Sequence, residues 1–173
     1  MKRCLIVVDY QNDFVTGSLG NEMAAALEEG IAARIRACRA QGDDILFTLD
    51  THEEDYMSTR EGRYLPVPHC IRDTDGHALY GKVAAECHAD DHVFCKETFG
   101  SKGLFDFLRH NRYDAVELCG VVTNICVISN AVIAKTALPE ADVAVNAALC
   151  ASNDPELHQK ALDVMASFQI DVI

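Results

Sequence analysis

The apolar run Ala115–Val122, broken only by Glu117, ends in two helix-capping residue types, Thr123 and Asn124, and Ile125 onward has the pattern of a helix. Cys126 therefore falls in the first turn of a helix that leaves the carboxyl end of a strand. There the partial positive charge of the helix end favours a thiolate over a thiol. Uncommitted backbone N–H groups in the same turn can hold a developing oxyanion. The chemistry this suits is nucleophilic attack by sulfur on an acyl carbon. The competing assignment is a buried cysteine packed as a small hydrophobe.

Three other ionisable residues close apolar runs in the same manner. Asp9 follows Cys4–Val8, Asp50 ends the run that starts at Asp44, and Lys96 follows His92–Cys95. An acid after a strand often only accepts hydrogen bonds from the next loop. A phosphatase with an aspartate nucleophile would need a second acid two residues on, where this chain has Gln11. A lysine beside a thiol lowers its pKa and holds a carboxylate in place, provided that Lys96 meets Asp9 and Cys126 in space.

Asp50-Thr51-His52 adds metal-ligand types. Residues two apart in an extended segment point the same way, so both side chains can face one ion. Glu61 and His69, further along, supply one more oxygen and one more nitrogen. Two histidines and two carboxylates suit a divalent metal, with zinc the first choice and manganese or iron(II) the alternatives. The remaining histidines, 77, 88, 92, 110 and 158, are read as surface residues.

Alternating elements are needed to bring these groups together. Strands are expected at Cys4–Asp9, Asp44–Asp50, His92–Lys96, Ala115–Val122, Asp142–Asn146 and Gln169–Ile173. Helices are expected at Glu22–Gln41, Leu79–His88, Lys102–Asn111, Asn124–Ala137 and Pro155–Ser167. The segment from Thr51 to about His77 is long and polar without periodicity, the kind of loop that usually carries function. Such alternation predicts an α/β fold of three layers, α/β/α, around a mostly parallel, doubly wound sheet of about six strands. Sites in these folds lie at the carboxyl ends of the strands. That edge is where Asp9, Asp50, Lys96 and the Cys126 turn all fall.

With 173 residues the chain is expected to form a single domain over residues 1–173. A formal net charge of -12 disfavours nucleic acid or an anionic membrane as partner. The basic start, Met1-Lys2-Arg3, leads into an apolar run too short for a signal peptide, and no later stretch could span a bilayer. The eight cysteines form no CxxC pair. They are read as mostly reduced core residues of a cytoplasmic protein.

Taken in order, Asp9–Phe14 (DYQNDF), Asp50–His52 (DTH), Leu65–His69 (LPVPH), Lys96 and Gly120–Val127 (GVVTNICV) resemble the isochorismatase-like cysteine hydrolases, and among them the nicotinamidase/pyrazinamidase-like amidohydrolases. The resemblance covers nearly the whole chain. It implies an Asp9–Lys96–Cys126 triad and a cis peptide between Val121 and Val122 that turns an N–H towards the oxyanion. It also implies a homo-oligomer, dimer or tetramer. Departures from the pattern concern substrate and metal. The region where a further histidine often follows the DxH holds Asp55-Tyr56, with Glu61 matching a subgroup that uses glutamate. Leu65 stands where an aromatic often stacks on the substrate ring. The expected activity is metal-assisted hydrolysis of a small carboxamide to acid and ammonia through a thioester on Cys126. N–H groups of Val122 and Cys126 would form the oxyanion hole, and Phe14 and Phe99 the pocket wall. Asp50, His52, Glu61 and His69 would hold the metal. Two alternatives are another C–N hydrolase of this family acting on a ureido or carbamoyl compound, and a non-catalytic binding or redox domain.

Overall fold

The computed structural model describes residues 1–173. Six strands, β1 (Arg3–Val8), β2 (Asp44–Asp50), β3 (His92–Lys96), β4 (Ala115–Val121), β5 (Asp142–Ala151) and β6 (Asp171–Val172), form one sheet in the order β3-β2-β1-β4-β5-β6. Every pairing is parallel. Side chains of a strand alternate between faces, and β1 shows what that does here. Leu5 and Val7 enter one core with α1 (Asn12–Val15), α2 (Glu22–Ala25), α3 (Glu28–Ala40) and α5 (Gly81–Ala85). Cys4, Ile6 and Val8 enter the other, with α6 (Lys102–Asn111), α7 (Ile128–Ala137) and α8 (Pro155–Ser167). The sheet is thus covered on both sides, as parallel sheets require. A short α4 (Arg60–Tyr64) lies in the long loop after β2.

Local chemistry sets the helix ends. Ser101 caps α6 by accepting from Leu104 N, and Asp154 caps α8 by accepting from Glu156 N and Leu157 N, with Pro155 at the first helical position. The expected helix Glu22–Gln41 is two helices. A continuous helix would give the Ala24 carbonyl to Glu28 N–H, but that carbonyl accepts from Leu27 N and from the Tyr10 hydroxyl, 2.7 Å away. The helix Asn124–Ala137 likewise begins with a wider, π-type turn at Thr123–Val127 before α7. β5 runs to Ala151, beyond the expected Asn146, with a shift of register against β4 between Leu118 and Gly120. The expected terminal strand Gln169–Ile173 shrinks to Asp171–Val172, and α1 was not foreseen.

Gly120 marks where the backbones come closest. Its φ is +116°, and a Cβ there would lie 2.1 Å from the Val8 carbonyl oxygen, so only glycine lets β4 pass β1 in this register. No helix is long and apolar enough to cross a membrane. All eight cysteines are free. Six are buried, but Cys95, expected inside an apolar strand, is exposed because β3 is an edge strand.

Candidate active site

Strand order reverses direction between β1 and β4, and the crevice at that switch point receives the residues that follow both strands. Asp9 turns off the end of β1 with φ of +48°, a left-handed conformation that aspartate tolerates better than most residues. Its side chain is fully buried. The Thr48 hydroxyl donates to Oδ1 at 2.7 Å. Oδ2 lies 2.6 Å from Lys96 Nζ in a buried ion pair. The acid therefore has one oxygen fixed by a hydroxyl and the other turned to the ammonium.

Lys96 reaches this point from β3, where it pairs in register with Asp50 of β2. Its ammonium contacts Asp50 Oδ1 at 3.2 Å, the Thr98 carbonyl at 3.1 Å and Cys126 Sγ at 3.4 Å. Burial alone would pull its pKa down, but the Asp9, Cys126 and Asp50 groups outweigh this and hold it above the usual lysine range. Asp9, Lys96 and Cys126, expected at one sheet edge, are brought together.

The thiol itself corrects an expectation. A helix end was to favour the thiolate, but Cys126 is buried, and burial, reinforced by the Asp9 carboxylate, pushes its pKa well up despite Lys96. Desolvation of a whole charge exceeds the half-charge of a turn. Burial also raises Asp9, opposed by Lys96 and Thr48 and aided by Asp50. The arrangement is a neutral thiol beside an ion-paired carboxylate of raised basicity, which can take a proton when the sulfur attacks. The Val121–Val122 peptide is cis.

Asp50, His52, Glu61 and His69 gather with their ligand atoms all within 4.8 Å of one another. His52 Nε2 is 3.0 Å and His69 Nε2 3.3 Å from Asp50 Oδ2, and Glu61 Oε1 is 3.8 Å and 3.9 Å from the two imidazoles. Donors about 2.1 Å from a common ion lie roughly 3.0–3.4 Å apart at octahedral or tetrahedral angles, so Asp50 stands at the right spacing from both histidines and Glu61 slightly wide of them. His69 Nδ1 is 2.8 Å from the Val67 carbonyl, which leaves Nε2 free to act as a donor. Asp50 is held well below the usual carboxylate range; its burial is outweighed by the two histidines and Lys96. Two nitrogens and two oxygens with room for further ligands fit a divalent metal.

Cys126 and three of the metal-ligand side chains, Asp50, Glu61 and His69, open onto one cavity of about 200 Å³. Phe14, Leu19, Leu65, Phe99, Val122 and Ile125 supply its apolar surface, and Cys126, Asp50, Glu61 and His69 supply its polar one. Phe14 also packs edge-on against His69, with centroids 5.5 Å apart, so it is both wall and support. Phe99 is 45% exposed at the mouth.

Several supporting residues were not singled out beforehand. Gln11 grips the Asp50 backbone from both sides: Nε2 donates to Asp50 O at 2.9 Å, and Oε1 accepts from Asp50 N at 2.8 Å. Asp13 accepts from Cys70 N at 2.7 Å and so fastens the loop next to His69. Buried Asn130 accepts from Ser101 N and donates to Phe99 O and Cys126 O, joining the pocket wall to the nucleophile's turn. Thr48 could have been noticed as a polar residue two before Asp50 in an apolar strand; Asn130 left no signal in the sequence. Two histidines read as surface residues are half-buried instead: His77 bonds Thr51, and His158 bonds Thr123 beside Val122.

Comparison with known proteins gives a consistent picture. The isochorismatase domain family model matches residues 3–173. An uncharacterized isochorismatase family protein of Bacillus subtilis is 34% identical over 143 residues, 76% of this chain and 78% of its own. The nicotinamidase/pyrazinamidase of Mycobacterium tuberculosis is 30% identical over 141 residues, 72% of this chain and 74% of its own. Among solved structures, the pyrazinamidase of Pyrococcus horikoshii in complex with zinc superposes with a TM-score of 0.87 at 28% identity, covering 100% of this chain and 99% of that one.

Proposed function

The chain belongs to the isochorismatase family and is a hydrolase of amide bonds, and from that premise we propose that it is a nicotinamidase-like enzyme working through a thioester on Cys126. The observation that carries the reading is the buried contact of Lys96 with both Asp9 and Cys126, beside a cavity that ends at Asp50, Glu61 and His69, three members of the four-residue metal-ligand cluster.

In the first half-reaction Asp9 Oδ2 takes the proton of the Cys126 thiol as the sulfur bonds to the carboxamide carbon. The carbonyl oxygen, now negative, is held by N–H groups of Val122 and Cys126. Lys96 keeps its charge throughout, balancing first the carboxylate and then the developing anion. When the tetrahedral adduct collapses, the C–N bond breaks and Asp9 returns its proton to the departing nitrogen, which leaves as ammonia. A water molecule, giving a proton to Asp9, then attacks the thioester carbon; the C–S bond breaks, the thiol reforms and the acid is released. A divalent ion on Asp50, His52, Glu61 and His69, zinc in this proposal, would supply a Lewis-acid anchor for a substrate heteroatom. Phe14 and Phe99 flank the substrate plane. Drug-sized ligands need pockets of roughly 300–1,000 Å³, so a cavity of about 200 Å³ has room for the ring that carries the carboxamide.

We place this enzyme in the cytoplasm as a homo-oligomer; eight free cysteines accord with a reducing compartment. The test is ammonia release from nicotinamide by purified protein, with and without a chelator. Turnover that is lost with the metal and returns on adding zinc is the expected result. Absence of turnover in fully metal-loaded protein refutes the substrate, and full turnover in chelator refutes the metal's part.

A further inference from the structure

We infer that the substrate of this enzyme extends beyond one ring, into an outer chamber on the far side of the metal ligands that takes a planar aromatic group. The inference rests on the amidase reading above. A second cavity, of about 630 Å³, is lined by His52, Thr59, Arg60, Glu61, Tyr64, Glu97, Thr98 and Phe99. It shares Glu61 and Phe99 with the cavity at Cys126, so the two adjoin at that pair of side chains. The four ligands stand as a partition: Asp50 and His69 face the inner space, His52 the outer, and Glu61 both. A carboxamide with its carbon at Cys126 and its ring against the partition has its distal edge at Glu61 and Phe99, the boundary between the two cavities.

The chamber's chemistry selects what lies there. Tyr64 is 76% exposed and Phe99 45% exposed, large apolar faces left to water at the mouth of a site. The Arg60 guanidinium lies 5.1 Å from the Tyr64 ring centroid and has no carboxylate partner. Glu97 on the same wall offsets its charge, so an uncharged distal group is favoured over an anion. A neutral aryl or heteroaryl ring stacks on Tyr64 and Phe99 without loss of hydration to either charge.

The experiment compares pyridine-3-carboxamide with its 5-phenyl and 6-phenyl derivatives, in wild type and in Tyr64→Ala. Wild type is expected to hydrolyse at least one phenyl derivative with kcat/KM equal to or above that of the parent. Tyr64→Ala should lower the ratio of derivative to parent about tenfold, the scale of an aromatic contact with its buried area. A wild type that rejects both derivatives overturns the inference, and so does a ratio that Tyr64→Ala leaves unchanged. Binding of the same amides to zinc-loaded Cys126→Ala protein, measured calorimetrically, separates the two readings. If no amide is turned over by wild type, the amidase proposal fails; if the phenyl amides then bind no more tightly than the parent, the outer chamber fails independently.

Discussion

Replacing Thr48 with valine removes one hydroxyl and leaves the shape and strand preference of the residue nearly unchanged. That hydroxyl donates a 2.7 Å hydrogen bond to Asp9 Oδ1, and both residues are fully buried, so no water can take its place. Hydrogen bonds to charged groups contribute about 1.5–3 kcal/mol. At about 1.4 kcal/mol per pKa unit, losing one from the carboxylate form should raise the Asp9 pKa by roughly one to two units. The direction is fixed by the donor: it favours the ionised acid, so its removal favours the protonated one. With Asp9 as the proposed base, which takes the thiol proton only when ionised, the acid limb of the kcat/KM profile for ammonia release should move to higher pH by about one unit or more. Urea unfolding above that limb should show a loss of about 1.5–3 kcal/mol, narrowing as pH falls and Asp9 protonates. Superimposable pH profiles with unchanged unfolding midpoints would refute both the base role of Asp9 and the support given by Thr48.

Cys126→Ala should reduce turnover at least about a thousandfold while fold and metal content, read by circular dichroism and elemental analysis, stay intact; appreciable hydrolysis by clean variant protein would rule out the thioester. Glu61→Gln keeps size but not charge and should weaken zinc affinity about tenfold or more, while Glu53→Gln and Glu54→Gln in the same loop leave it unchanged. Equal affinity in all three variants would make the fourth ligand something other than Glu61. Away from the site, Arg39 donates to both oxygens of Asp91 at 2.8 Å. Burial would raise the Asp91 pKa, but Arg39 outweighs it and the pKa is depressed. The pair's stabilisation is therefore present above the unfolded aspartate value of about 3.9 and lost as pH falls through the folded one. Asp91→Asn should cost about 1 kcal/mol at pH 7 and progressively less towards pH 3; a gap of equal size at both would contradict it.

The layered fold was legible because apolar runs of strand length alternate with helical periodicity. The residues at strand ends were legible for the same reason: topology alone collects Asp9, Asp50, Lys96 and Cys126 at one edge. Long-range competition was not legible. The break between α2 and α3 depends on a hydroxyl from Tyr10, and the supporting role of Asn130 on the distant backbone of Phe99 and Ser101. The burial of Cys126, which pushes its pKa up, was not legible because sequence shows the helix end but not the depth at which it lies.

The order of the sheet bears on how the molecule comes into being. Asp9 and Cys126 meet only after β1 has paired with β4, and Lys96 joins them only after β3 has docked on β2. Each parallel pairing closes a long loop before any contact repays the entropy, which makes such topologies slow to form. No contiguous fragment that lacks β1, β3 or β4 holds the triad. Regain of ammonia release during refolding therefore times the last of these dockings, and should trail the recovery of helix seen by far-UV circular dichroism.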